Sequence, residues 1–307
     1  MLNSVHFQLT RRCNLRCPFC GQNHLADEEA PPEQWLRTAA ALPEKTAVTL
    51  WGGEPLLYPG FAGLARELFR MGRRLSVVTN GTLIEASIAP VLNECFREIF
   101  LSVDGDEAVH DRIRGPGNFA KIKHNLEQLA GRRGRLIFLT TISDWNVGMI
   151  ADLPDRLAEL HPDRVVLQPL IYLSSAEIDR MPREICREEL RFWRRNEVAE
   201  YETALRNALR EVEKRSCPVD VTVTRHACSG TCFRPWHTLH IAPDGEGRFC
   251  PDFAGFSAGN VFRDGWEAVF HSGKAKAFRR SVEDHRFPGC DHCPWRIQAE
   301  SGPFGTQ

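Results

Sequence analysis

The chain has 307 residues, 42% of them hydrophobic, and a formal charge of −1. That length suggests one large domain plus a smaller one, and the near-zero charge leaves no basic field of the kind that draws nucleic acid. No apolar run approaches the roughly 20 residues of a membrane-spanning helix, and the N-terminus lacks the ordered regions of a secretory signal.

Six short runs, nearly continuous in apolar and β-branched residues, predict buried parallel strands at residues 5–9, 47–51, 75–79, 99–103, 136–142 and 165–170. Helical periodicity fills the gaps, in Phe61, Leu64, Ala65, Leu68 and Phe69 and again in Ile122, Leu126 and Leu129. Gly72 and Gly131 stand where those helices should stop. Strand–helix alternation implies right-handed crossovers and a parallel sheet, open or curled into a barrel. Residues 197–215 read as a long amphipathic helix with Val198, Tyr201, Leu205, Leu209 and Val212 along one side, followed by a short strand at 219–223.

Beyond Cys228 the chain is rich in Gly, Pro, Cys and aromatics. A hairpin is expected across 238–241 and 247–250, turned by Pro243-Asp244-Gly245, with short helices at 266–270 and 274–282. This tail reads as too short and too polar to hold itself together by core burial alone. A metal is expected to supply the missing free energy.

Eleven cysteines in a chain of this length argue for a reducing compartment, the cytoplasm, and for metal or redox use. Seven of them fall into two groups with ligand spacing. Cys13, Cys17 and Cys20 follow the first strand at C-x3-C-x2-C spacing. Iron–sulfur clusters are normally held by four thiolates, so three would hold a 4Fe–4S cluster and leave one iron free. His24 would instead complete a tetrahedral zinc set. Position favours a ligand site, because parallel α/β folds bind ligands at the C-terminal ends of their strands.

Three other strand ends share that rim: Gly52-Gly53-Glu54-Pro55, Thr79-Asn80-Gly81 and Ser102-Val103-Asp104-Gly105. A Gly-Gly pair would let a ligand approach the backbone, and a neighbouring carboxylate suits a cationic amine. The second cysteine group is Cys232, Cys250, Cys290 and Cys293, a set that serves zinc or a 4Fe–4S cluster equally by spacing. Cys95 and Cys186 lie in helical segments and read as small buried hydrophobes.

On these motifs the chain resembles radical S-adenosylmethionine enzymes. The family's C-x3-C-x-Φ-C motif is present as Cys13, Cys17, Phe19 and Cys20, and its Gly-Gly-Glu-Pro motif as Gly52, Gly53, Glu54 and Pro55. The resemblance implies an α/β fold: a partial (β/α)6 TIM-like barrel over residues 1–225 and a small cysteine-rich SPASM/twitch-like domain over 226–307. It implies that the free iron chelates the methionine end of S-adenosylmethionine. The backbone of residues 52–55 and Glu54 would bind its amine, and Asn80, Ser102 and Asp104 would lie near its ribose or carboxylate. The sequence around the second group is similar to the SPASM and twitch extensions that carry auxiliary clusters. One auxiliary 4Fe–4S cluster on Cys232, Cys250, Cys290 and Cys293 is expected, as an electron relay, an acceptor or a staple. His237 and His292 are expected to be structural, and Cys228 to be an alternative ligand or a hydrogen-atom donor.

The chemistry implied is reductive cleavage of S-adenosylmethionine to a 5′-deoxyadenosyl radical, which takes a hydrogen atom from an unactivated C–H bond while the protein orients and excludes water. The expected substrate is a ribosomally made peptide that is epimerised, crosslinked or oxidised, with flavodoxin or ferredoxin as electron donor and neither nucleic acid nor membrane as partner. The chain begins almost at its first strand, leaving no room for a leader-peptide-binding domain, which counts against a peptide. An amino sugar or aminocyclitol dehydrogenase or epimerase is the alternative. A zinc-binding interaction protein with two structural sites is a rival from another class, and it gives residues 52–55 no role.

Overall fold

Alternate side chains of each predicted run find apolar cover on one face of the sheet, which is why these runs fold as strands. Val5, Phe7 and Leu9, then Val48 and Leu50, are fully buried there. Phe7 packs its ring 4.8 Å from that of Trp35 in the first crossover helix. The computed structural model describes residues 1–21, 28–180, 198–224, 232–253 and 255–293.

Seven strands run parallel: β1 (Ser4–Gln8), β2 (Ala47–Trp51), β3 (Leu75–Thr79), β4 (Phe96–Ser102), β5 (Arg135–Ile142), β6 (Arg164–Pro169) and β7 (Asp220–Val223). Between them lie α1 (Pro32–Ala41), α2 (Phe61–Arg70), α3 (Ala89–Cys95), α4 (Glu107–Arg114), α5 (Asn118–Leu126), α6 (Leu153–Ala158), α7 (Ser175–Asp179) and α8 (Val198–Lys214). The tail supplies α9 (Arg234–His237), β8 (Thr238–Ile241), β9 (Gly247–Arg248), α10 (Val261–Asp264), α11 (Trp266–Phe270), α12 (Gly273–Glu283) and α13 (Pro288–Asp291). β8 lies parallel against β1 and β9 antiparallel against β8, giving one sheet in the order β7-β6-β5-β4-β3-β2-β1-β8-β9.

Most strand bounds match the sequence reading to within a residue or so, but β4 begins at Phe96, earlier than the expected 99. α3 runs straight into the strand, and Phe96 is held by pairing with Leu75 and by stacking on Phe61, with centroids 5.9 Å apart. Gly72 does stop α2, at a φ of +76°. Next to it Arg73 donates to the carbonyls of Ala39, Leu42, Pro43 and Glu44, so a cation caps the C-terminal end of α1.

The other, inner face of the sheet is of two kinds. Phe100, Ile137, Leu139 and Val166, with Val78, make a second small apolar cluster on β3 to β6. On β1, β2 and β8 the inner positions are Ser4, His6, Gln8, Thr49, Trp51, Thr238 and His240.

The tail carries an aromatic cluster that the sequence reading did not foresee. Phe249, Phe253, Phe256, Phe270, Phe278 and Phe287 pack ring against ring, with centroid separations from 4.6 to 6.4 Å. The Arg279 guanidinium lies 4.8 Å from the Phe249 ring and 4.4 Å from that of Phe270. These phenylalanines have no common period in the sequence, so patterning did not reveal them. The tail is anchored by β8 on β1, by Trp266 Nε1 donating to Ala41 O at 2.9 Å, and by His292 between Glu177 of α7 at 2.8 Å and Glu202 of α8 at 3.0 Å. Among the described residues no helix is long and apolar enough to cross a membrane.

Candidate active site at the strand ends

The loop after β1 carries Cys13, Cys17 and Cys20, and it lies directly on the loop after β2. Gly53 N donates to Thr10 O and Glu54 N to Arg12 O, both at 2.8 Å. A Cβ on Gly52 would stand 2.4 Å from Thr10 O, and one on Gly53 2.3 Å from Arg12 O. The close approach that excludes a side chain at both glycines is therefore that of the protein's own cysteine loop, where the sequence had suggested a ligand. Glu29 holds the same loop by accepting from Arg12 Nε at 2.7 Å and from Thr10 Oγ1.

Glu54 is fully buried and faces the end of β3. Its carboxylate accepts from Thr79 Oγ1 at 2.8 Å, Asn80 N at 2.8 Å and Leu56 N at 3.2 Å. Burial pushes the carboxyl up to about 7 in spite of those bonds. Glu54 thus ties the β2 loop to the β3 loop. Asn80 Nδ2 donates to Asn14 Oδ1 at 2.9 Å and approaches Cys13 Sγ at 3.9 Å, while its Oδ1 accepts from Thr82 N and Oγ1. Gly81 makes the turn behind it at a φ of +76°.

Asp104, also fully buried, binds Arg114 Nε at 2.6 Å and accepts from Thr141 N at 2.9 Å. Burial works against the charge on Arg114, but Asp104 and the Cys17 thiol hold its guanidinium above the ordinary arginine range. Arg114 Nη1 stands 3.9 Å from Cys17 Sγ, and its guanidinium lies 5.6 Å from the Phe19 ring. Ser102 is half-buried at the end of β4, on the inner face.

The three thiols lie within electrostatic reach of one another. Burial raises Cys13, with the charges of Glu54 and Cys20 adding to it. Burial likewise takes Cys17 up to about 11, with Arg114 opposing and Cys20, Asp104 and Cys13 adding. Three clustered thiols with an amide and a guanidinium N–H directed at two of the sulfurs fit the three-cysteine side of a 4Fe–4S cluster, whose negative charge such donors offset.

The second group sits apart from the first, partly buried against the core. Burial pushes the Cys250 thiol well up, with Asp252, Cys293 and Cys290 adding. Cys293 N donates to Cys290 O at 3.3 Å, a turn that sets that pair close together. Asp252 Oδ2 lies 3.6 Å from Cys250 Sγ. Cys250, Cys290 and Cys293 thus lie within electrostatic reach of one another in a dry setting, and Cys232 is partly buried against the same core. His292 is engaged by Glu177 and Glu202, and His237 Nδ1 lies 3.1 Å from Met1 O. Cys228, Cys186 and His24 lie outside the described residues.

Sequence reasoning missed Arg114, Asn14, Thr82, Thr141 and Asn146, the last of which donates its Nδ2 to Asp104 O at 2.8 Å and Thr141 O at 2.9 Å. Arg114 stands in the last turn of α4, where an arginine reads as a partner of the helix dipole.

The family model of the radical SAM superfamily matches residues 7–165, and SPASM, an iron-sulfur cluster-binding domain, matches residues 232–294. Over 275 residues, 87% of the chain, it is 24% identical to the antilisterial bacteriocin subtilosin biosynthesis protein AlbA of Bacillus subtilis (strain 168), and this chain spans 59% of that protein's length. Streptococcus suis SuiB bound to precursor peptide SuiA matches in fold with a TM-score of 0.68 at 14% identity, over 97% of this chain and 72% of that one. Native anSMEcpe with bound AdoMet and Cp18Cys peptide gives 0.70 at 16% identity, over 98% and 92%. The chain therefore belongs to the radical SAM superfamily, with a C-terminal SPASM domain, and 4Fe–4S clusters and S-adenosylmethionine are its cofactors.

Proposed function

We propose that this enzyme modifies a ribosomally made peptide, by epimerisation, crosslinking or oxidation, in the cytoplasm and with electrons from a flavodoxin or ferredoxin. The observation that carries the reading is the extent of the match to AlbA, whose 87% coverage exceeds what residues 1–225 alone would give, so it takes in part of the tail as well as the barrel. The peptides named with SuiB and anSMEcpe point the same way.

In this reading residues 1–225 form the catalytic barrel and 226–307 the auxiliary domain. Cys13, Cys17 and Cys20 hold a 4Fe–4S cluster through three of its irons. When bound, the cluster and S-adenosylmethionine together supply the 5′-deoxyadenosyl radical that takes a substrate hydrogen atom. Phe19 and the backbone of residues 52–55 line the cofactor pocket. Glu54, with its carboxylate spent on Thr79, Asn80 and Leu56, positions the two loops around it. Asn80 directs its amide at Cys13, Arg114 places a positive charge beside Cys17, and Asp104 fixes that arginine in place. Ser102 faces the inside of the barrel, near the cofactor's ribose or carboxylate. Cys232, Cys250, Cys290 and Cys293 hold one auxiliary 4Fe–4S cluster in a closed site, and Cys228 serves as a spare ligand or a hydrogen-atom donor.

Anaerobic reconstitution tests the cofactor assignment, and two clusters require about eight irons per chain. The reconstituted protein, given reductant, S-adenosylmethionine and candidate precursor peptides, should then release 5′-deoxyadenosine in step with a change in peptide mass. Turnover with amino sugars and none with peptides would overturn the substrate reading.

A further inference from the structure

The polar half of the inner face is built in matched pairs. Ser4 faces Thr238, where the two hydroxyls meet at 3.0 Å, and His6 faces His240 one layer further up, with Thr49 beside His6 on β2. Gln8 and Trp51 pair in the layer above, next to the cysteine loop. The His6 and His240 rings lie 4.5 Å apart, and His240 stands 6.1 Å from Trp51.

Among these side chains, His240 and Trp51 lack the partners that burial normally demands. His240 is 3% exposed, and neither of its ring nitrogens has a hydrogen-bond partner. Trp51 Nε1 is buried in the same condition. An unsatisfied buried polar atom costs free energy, and in a native fold each calls for a partner, an ordered water or a bound ligand. Burial, with Arg234 adding, takes His6 down to about 3, and burial holds His240 well below the ordinary histidine range, with His6, Arg234 and Arg248 adding. Both rings are therefore neutral, and each offers an N–H donor. The fixed charges acting on them, Arg234 and Arg248, are cationic. N–H donors in a positive field suit an anion. Across the sheet, Gln168 on β6 shares the inner face with Val166, and its Oε1 is buried without a partner. That atom needs a donor.

We propose that His6, His240 and Trp51 form the docking wall for a carboxylate borne by the substrate, and that Gln168 Oε1 receives a substrate N–H from the opposite side. This rests on the peptide reading only in that an acidic residue within a peptide supplies both groups. The wall adjoins the cysteine loop through Gln8 and Trp51, so a carboxylate held there fixes the depth at which the substrate's neighbouring C–H bonds lie.

Equilibrium dialysis of the reconstituted, S-adenosylmethionine-loaded protein tests this with three labelled probes: N-acetyl-aspartyl methylamide, its asparaginyl counterpart and glucuronate. The aspartyl probe should bind one per chain and about ten-fold or more tighter than the asparaginyl one, the scale of a hydrogen bond to a charged group. His240→Phe keeps an aromatic ring without its nitrogens, and Trp51→Phe removes the indole donor while keeping a smaller aromatic ring. Each should weaken the aspartyl probe by about ten-fold while iron content and S-adenosylmethionine binding stay as in the unaltered protein. If His240→Phe does not fold, Trp51→Phe carries the test alone. Equal affinity for the two peptide probes, unchanged affinity in the variants that fold, or saturable binding of none of the three probes would overturn the wall. Glucuronate bound in place of the aspartyl probe, and lost in the variants, would uphold the wall and overturn the peptide reading.

Discussion

Cys17 has the guanidinium of Arg114 3.9 Å from its sulfur and a loop of polar side chains around it, whereas Cys250 lies in a tail packed with phenylalanine rings beside a carboxyl group. Both groups are partly buried, but the first is held by hydrogen bonds and by backbone contact between three strand-end loops. The second depends on apolar burial. A site held by directional bonds at the sheet rim keeps a face open to a ligand. One embedded among rings is closed, and suits a group that exchanges electrons or braces the tail.

The sharpest way to break this comparison is Gly53→Ala. The added Cβ would meet Arg12 O at 2.3 Å, a backbone atom that moves only with the cysteine loop. Overpacking of this kind costs about 1–3 kcal/mol or more, and here the strain falls on the three ligands. Iron should drop from about eight to about four per chain, and S-adenosylmethionine cleavage to background, with the tail's cluster kept. Full iron content with normal cleavage would show that the two loops are not mutually dependent.

The converse substitution lies in the tail. Phe278 is fully buried among Phe249, Phe253, Phe256 and Phe287. Phe278→Ala should cost about 3–5 kcal/mol of local stability, the usual range for removing a buried aromatic. Limited proteolysis should cut the tail first, and its iron should be lost while the first cluster still supports S-adenosylmethionine cleavage. A variant whose tail keeps its iron and its protease resistance would mean that the four thiolates, not the rings, hold this region.

What was legible in the sequence follows the same division. The first cysteine loop and residues 52–55 are contiguous motifs, and the strands carry their own periodicity, so both could be read locally. Arg114 could not, because its meaning lies in contacts with Asp104 and Cys17, residues 10 and 97 positions away. The tail's aromatic core is likewise assembled from separate turns and helices, which is why local patterning did not show it. The His6–His240 pair needs β8 to dock on β1, 234 residues along the chain. Strand-end loops are written in motifs, while cores and walls made by distant strands are written in the topology.

The smallest expected effect concerns Glu54 and sharpens the comparison at its chemical centre. Its carboxyl, near 4.5 in an unfolded chain, is raised to about 7 by burial. The unfolded state therefore gives up this proton at lower pH than the folded one. The stabilising contribution is complete below about 4.5 and is lost as pH rises through about 7. A shift of that size corresponds to at most about 3 kcal/mol. Glu54→Gln removes the titration while leaving an acceptor for Thr79 or Asn80. Denaturant titrations at pH 5 and pH 8 should show the unaltered protein losing more stability than the variant towards the higher pH. Asp252, beside Cys250, is also raised by burial, to about 6, so the profile of the unaltered protein mixes the two regions. The difference between protein and variant isolates the rim. If that difference does not change with pH, the bonds from Thr79, Asn80 and Leu56 outweigh burial, and Glu54 stands ionised at the centre of the site.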